Sequence, residues 1–180
     1  MRFSRTILGL CAFMAYQSSA QATVLDTAHF NGHTYHLLSG QDWQSAENES
    51  VSLGGHLVTI NDLAEHNFIW SLSGAGTAQN AGQIWIGFND IAVEGSFVWT
   101  SGETPGYTNW ASGEPNNLGG NEDAVHMRSV YPNGEWNDVP ISLLQFGVAE
   151  VVPVPAALPF LAGGIAVMGL MSWRRKRAAA

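Results

Sequence analysis

All fifteen acidic side chains of this 180-residue chain lie between Asp26 and Glu150, and a single cation, Arg128, lies among them. The other six basic residues sit at the ends: Arg2 and Arg5 at one, Arg174, Arg175, Lys176 and Arg177 at the other. One cation against fifteen acids gives the stretch between a formal charge of −14, well beyond the net −8 of the whole chain. Carboxylates at that density repel one another in a compact domain unless a counter-charge is brought in. The same excess excludes a nucleic-acid partner, which needs clustered Lys and Arg against the phosphates. With Cys11 as the single cysteine, no intrachain disulfide can form.

The basic ends belong to segments of a different kind. Arg2 and Arg5 precede an apolar run, Ile7 to Tyr16, and then the small residues Ser18, Ser19, Ala20 and Ala22. That order is expected of a secretory signal peptide over 1–22, cut after Ala20 or Ala22, with Cys11 lost in the cleaved part. At the other end, Val152-Pro153-Val154-Pro155 leads into an apolar stretch, 156–173, and then the four consecutive cations. Eighteen residues is near the minimum for a membrane span, and the trailing cations favour the cytoplasmic side. The segment 152–180 resembles the bacterial PEP-CTERM type of sorting signal in a Val-Pro-x-Pro-Ala variant. That resemblance implies transient membrane insertion, cleavage by an exosortase and delivery to the cell envelope, cell surface or extracellular matrix. A simple membrane anchor is the alternative reading.

The domain between, 23–151, reads as α+β. A strand is expected over 34–38, and a helix where Trp43, Ala46, Ser50 and Leu53 recur at helical spacing before Gly54-Gly55. A second helix is expected to open at Asn61 or Asp62, with Glu65 supporting its first turn and Ala64, Phe68 and Leu72 on its inner face. Strand-like runs come next, at 84–88, 97–100, 124–127, 136–139 and 146–151. Two helices and then several strands define the class. Between the second and third of those strands, Ser101 to Asp123 holds five glycines and two prolines among Asn, Asp and Glu. A loop that long in a compact domain is usually functional.

The loop offers oxygen ligands. Glu114-Pro115-Asn116-Asn117 and Asn121-Glu122-Asp123 are succeeded by Trp136-Asn137-Asp138. Carboxylates and side-chain amides are the hard donors that calcium collects six to eight at a time, whereas zinc asks for nitrogen or sulfur. A cis bond at Pro115 would turn Glu114 and Asn116 to one side.

These residues, with Trp43-x-x-Ala46, Leu53-Gly54-Gly55-His56-Leu57, Trp85-Ile86-Gly87-Phe88-Asn89-Asp90, Glu94-Gly95-Ser96-Phe97-x-Trp99 and Asn109-Trp110, resemble a C-type lectin-like domain over about residues 34 to 151. The resemblance implies a fold of two helices, antiparallel sheets and a long calcium-binding loop. It implies a principal Ca2+ site at Glu114, Asn116, Glu122, Asn137 and Asp138, where the same five residues bind carbohydrate through two vicinal hydroxyls on the ion. The triplet Glu-Pro-Asn is associated with mannose-type sugars. A second, structural Ca2+ site would use Asp90, Glu94, Asn117 and Asp123 and share Glu122. The family's disulfide pairs fall here on Ser50 with Ala149 and on Ala124 with Ile141, so neither bridge exists.

The function expected is a secreted or surface-displayed, calcium-dependent glycan-binding module. Its alternative is a structural or adhesive matrix protein whose lectin-like domain binds protein or no specific sugar. No nucleophile sits in a recognisable motif, and an enzyme is not expected. Trp43, Trp85, Trp99 and Trp110 are expected in the core and not as a sugar-stacking platform. His29, His33 and His36 do not form a zinc trio, because His33 and His36 fall on opposite faces of a strand.

Overall fold

The computed structural model describes residues 23–72, 83–128 and 133–153. The expected signal peptide and the 156–173 segment lie outside them. Among the described residues no helix is long and apolar enough to cross a membrane.

Ten elements succeed one another in chain order: β1 (Val24–Phe30), β2 (His33–Gln41), α1 (Trp43–Ser52), β3 (His56–Leu57), α2 (Leu63–Leu72), β4 (Gln83–Asn89), β5 (Val98–Trp99), β6 (Ala124–Arg128), β7 (Trp136–Val139) and β8 (Gln145–Val151). The strands join one sheet in the order β1-β2-β8-β4-β6-β7, with β3 on β8 and β5 on β4. Every pairing is antiparallel except β4 with β8, where Ile84 faces Phe146 and Trp85 faces Gly147 in parallel. The sheet is therefore mixed, a correction to the expected antiparallel sheets. The chain reaches β8 from the far side of the domain, so β8 enters between β2 and β4 with its direction already set.

The strand β1 is additional to the expected elements, although its turn is written in the sequence. Asn31 and Gly32 adopt positive φ of 49° and 87°, the conformation of a two-residue hairpin turn for which Asn-Gly is the preferred pair. The helices form where expected. Asp42 caps α1 by accepting from the Ser45 N–H at 2.9 Å, and Asp62 caps α2 by accepting from the Glu65 N–H at 2.8 Å. The inner face of α1 is Trp43, Ala46, Glu47 and Ser50.

The inner face of α2 differs from the expected one. Glu65, His66 and Ile69 are buried, Phe68 and Leu72 are half-buried, and Ala64 is exposed. Glu65 turns inward because its carboxylate has partners there, accepting from the Tyr35 hydroxyl at 2.6 Å and from the Asn61 N–H at 2.8 Å. A buried carboxylate needs such donors more than an alanine needs burial.

Two apolar clusters fill the interior. The larger gathers Tyr35, Ile60, Ile69, Ile86, Phe88, Trp99 and Trp136 among others, and the smaller centres on Trp43, Leu57 and Trp85. Trp43, Trp85 and Trp99 are core residues as expected, while Trp110 packs half-buried against the larger cluster. Trp136 is fully buried, with the rings of Trp99, Trp110, Tyr107 and Phe88 within 6.0 Å of its own. This aromatic cage fixes β7, and β7 carries Asn137 and Asp138 into the loop region.

His126 lies on β6 behind that region, 2% exposed, with Nδ1 2.7 Å from Gln145 Oε1. Burial pulls the imidazole down to about 4. The folded protein keeps His126 neutral while the unfolded chain protonates it near the ordinary 6.5, so its contribution is full above pH 6.5 and is lost as pH falls toward 4. About 3 kcal/mol is involved. In urea titrations across that window, His126→Asn is expected to flatten the fall in stability; an unchanged slope would show that His126 does not set it.

Candidate metal centre

The loop from Ser101 to Asp123 is anchored on β7 before its acidic part begins. The Trp136 N–H donates to Asn109 O at 2.7 Å, and the Ala111 N–H donates to Trp136 O at 2.9 Å. Beyond this bridge the Glu114-Pro115 peptide is cis. Asn117 then takes a φ of 43°, a left-handed conformation that Asn tolerates better than most residues.

One carboxylate organises the acidic part of the loop. Asp138, 1% exposed on β7, accepts from the Asn116 N–H at 3.0 and 3.1 Å and from the Asn117 N–H at 2.8 Å. The Glu122 carboxylate accepts from the Leu118 N–H at 2.6 Å, and the Glu122 N–H donates to Asn117 Oδ1 at 3.1 Å. Glu114 lies within hydrogen-bond reach of Asp138 and feels the charge of Glu122. The structure thus brings together Glu114, Asn116, Glu122 and Asp138. Asn137 is buried beside them on β7, with its Oδ1 unpartnered.

The residues of the second expected set are neighbours linked in pairs. Asp90 comes directly after β4; its N–H donates to Asp123 O at 3.1 Å, and its Oδ2 accepts from the Gly95 N–H at 2.7 Å. Glu94 feels the negative charges of Asp90, Asp123 and Asp138. Asn117 reaches the set through Glu122. The two groups share Asp138 as a common neighbour, since its charge acts on Glu94, Glu114 and Glu122 alike.

The electrostatics show what the arrangement lacks. Glu94, Glu114 and Glu122 are all raised above the ordinary carboxylate value, by desolvation first and with neighbouring carboxylates adding to it, although Glu94 is exposed and the Leu118 N–H partly offsets the rise at Glu122. Arg128 opposes this at Glu114 only weakly. Among the residues of the two sets, three buried oxygens have no partner: Glu114 Oε2, Asn137 Oδ1 and Asp90 Oδ1. Buried polar atoms are normally satisfied, and orphaned acceptors among crowded carboxylates are the donor set a divalent cation fits. All of them are hard oxygens, so calcium fits them and zinc does not.

Sequence reasoning found the side chains but not the three backbone N–H groups, of Asn116, Asn117 and Leu118, that hold the carboxylates in place. The run Asn-Asn-Leu-Gly-Gly, rich in residues that accept positive φ, is the signal that could have pointed to them.

The architecture and the site together define a C-type lectin fold. A profile of the Lectin C-type domain matches residues 39–143, and the chain belongs to that family. It is 35% identical over 119 residues to the alpha-N-acetylgalactosamine-specific lectin of Patiria pectinifera, an alignment covering 63% of this chain and 70% of that one. It is 39% identical over 111 residues to the low affinity immunoglobulin epsilon Fc receptor of Mus musculus, covering 61% of this chain and 31% of the receptor. The chain spans about half of another relative, the hepatic lectin of Gallus gallus. Among solved structures, the C-type lectin CEL-I from Cucumaria echinata superimposes with a TM-score of 0.65 at 30% identity, over 70% of this chain and 94% of that one. The cow C-type carbohydrate-recognition domain of CD23, crystallised in the presence of a GlcNAc2Man3 oligosaccharide, does so with a TM-score of 0.63 at 29% identity, over 72% and 95%. C-type lectin domains are in general carbohydrate-binding and non-enzymatic, and typically bind Ca2+.

Calcium that binds only the folded loop stabilises the protein by mass action, about 2.7 kcal/mol at a hundredfold excess over Kd. The expected rise in Tm from excess chelator to millimolar calcium is on the order of 10 °C, and Glu114→Gln should reduce it. Equal Tm values in the two buffers would show that no such site exists.

Proposed function

We propose that this chain is an exported, calcium-dependent glycan-binding module selecting mannose-type sugars. Glu114, Asn116, Glu122, Asn137 and Asp138 hold the principal ion and the sugar on it; Asp90, Glu94, Asn117 and Asp123, with Glu122 shared, hold a second ion that shapes the loop. The observation that carries this reading is the crowding of Glu114 and Glu122 against the tethered Asp138, with Glu114 Oε2 left without a partner. A cation placed there leaves ligand carboxylates free to accept protons from sugar hydroxyls, while the hydroxyl oxygens give their lone pairs to the ion. The preference for mannose-type sugars is supported by the triplet Glu114-Pro115-Asn116 and by the mannose-containing oligosaccharide present with the cow CD23 domain.

On a glycan array in millimolar calcium, the protein is expected to retain mannose-type glycans and to lose them in chelator. Replacing one charge-assisted hydrogen-bond partner, as in Glu114→Gln or Asn116→Asp, should weaken binding about tenfold or more. Retention that survives chelation would favour an adhesive protein that binds without calcium, and a preference for N-acetylgalactosamine would overturn the mannose assignment.

The two ends supply the address in this proposal: residues 1–22 direct export, and 152–180 carry the chain through the membrane to an exosortase. Glycans of an exopolysaccharide or of a cell surface are then the partners within reach. Intact mass of the exported protein is expected to fit a chain that starts at Gln21 or Thr23 and lacks 156–173. Retention of the apolar segment would replace sorting with anchoring.

A further inference from the structure

The three histidines of the first hairpin part company in the fold. His29 Nδ1 pairs with Thr34 Oγ1 at 3.1 Å and His36 Nδ1 with Thr27 Oγ1 at 2.9 Å, each across the β1–β2 ladder. His33 turns toward the domain, and its Nδ1 lies 2.5 Å from Glu150 Oε1 near the end of β8. Glu65, from the first turn of α2, meets the same place. Both carboxylates are 6% exposed. The Tyr35 hydroxyl lies between them, donating to Glu65 Oε1 at 2.6 Å and 3.5 Å from Glu150 Oε1. Ligand atoms of His33, Glu65 and Glu150 all fall within 4.8 Å of one another, a spread that no other group of three or more His, Cys, Asp and Glu attains among the described residues.

The site is built, and not merely crowded. The second oxygen of each carboxylate is tied to backbone: the Thr59 N–H donates to Glu150 Oε2 at 3.0 Å, and the Asn61 N–H to Glu65 Oε2 at 2.8 Å. These outer hydrogen bonds aim both Oε1 atoms inward, the role that outer-shell donors play around metal-ligating carboxylates. Two buried carboxylates facing each other need a counter-charge, and a dication supplies more of it than one imidazolium can. His33, whose side chain is 32% exposed, gives a way in.

We propose that His33, Glu65 and Glu150 form a binding site for a transition-metal dication of the zinc class, separate from the oxygen-lined loop. The imidazole nitrogen selects the ion: nitrogen with carboxylate oxygen suits zinc and its neighbours, whereas calcium and magnesium take oxygen alone. Water completes the shell. A metal here ties β2, α2 and β8 together one residue from Ala149, a position where the family resemblance places a half-cystine that this chain lacks.

Cobalt reports such a site directly, because its visible absorption responds to bound nitrogen. With the loop kept saturated by millimolar calcium, titration of the whole protein with Co2+ is expected to give a visible band that saturates at one equivalent and is displaced by Zn2+. Zn2+ should also raise Tm. His33→Ala, a change at a half-exposed residue, should abolish the band and weaken Zn2+ binding about tenfold or more, whereas Glu114→Gln should leave both intact. A band that survives His33→Ala, no saturable band, or displacement of Co2+ by calcium would overturn the proposal.

Discussion

The acceptance of two consecutive loop N–H groups by the Asp138 carboxylate is the contact on which the functional half of this domain depends. Asp138 belongs to a buried four-residue strand whose first residue, Trp136, packs among aromatic rings, so the carboxylate is presented from the core. Asn116 and Asn117 belong to a loop without regular structure. Two hydrogen bonds across more than twenty residues transfer the rigidity of the first to the second. Glu114 and Glu122, on either side of the tethered pair, are thereby held against a negative charge they would otherwise avoid.

That repulsion is the electrostatic property that sets this loop apart. A loop of acids satisfied by lysines and arginines would be stable and inert, but here the one nearby cation, Arg128, barely offsets Glu114. Carboxylates held above their ordinary range with orphaned oxygens favour any dication that can bring them hard coordination. A domain without disulfides has a second reason to use ions. Each lost bridge forgoes on the order of 2–5 kcal/mol, and ions that bind only the folded state return stability of that size. The pair of buried glutamates at Tyr35 faces the same need for a counter-charge, with one histidine added to the donors.

Much of this was legible in the sequence because the determinants are local. The capping aspartates, the helical spacing of Trp43, Ala46 and Ser50, and the glycine exit from α1 specify their elements with little help from the rest of the chain. The oxygen-rich loop was legible because few other functions require that composition. What escaped depended on partners distant in sequence. The inward turn of Glu65 makes sense only once Tyr35 and Glu150 are beside it, and the parallel pairing of β4 with β8 only once β8 has returned across the domain. The three histidines show the same limit. Alternation along a strand correctly separated His33 from His36, but it could not show that His33 meets glutamates from α2 and β8. The β1–β2 hairpin is the exception, since Asn31-Gly32 announced it locally.

Whether the loop carboxylates act as a cation site is tested most directly by calorimetric titration of the chelator-treated protein with calcium. The expected result is saturable binding of one or two ions that is abolished in Asp138→Asn while the far-ultraviolet circular dichroism of the domain is retained. Calcium binding of unchanged affinity and stoichiometry in that variant, or no binding to the unaltered protein, would contradict it.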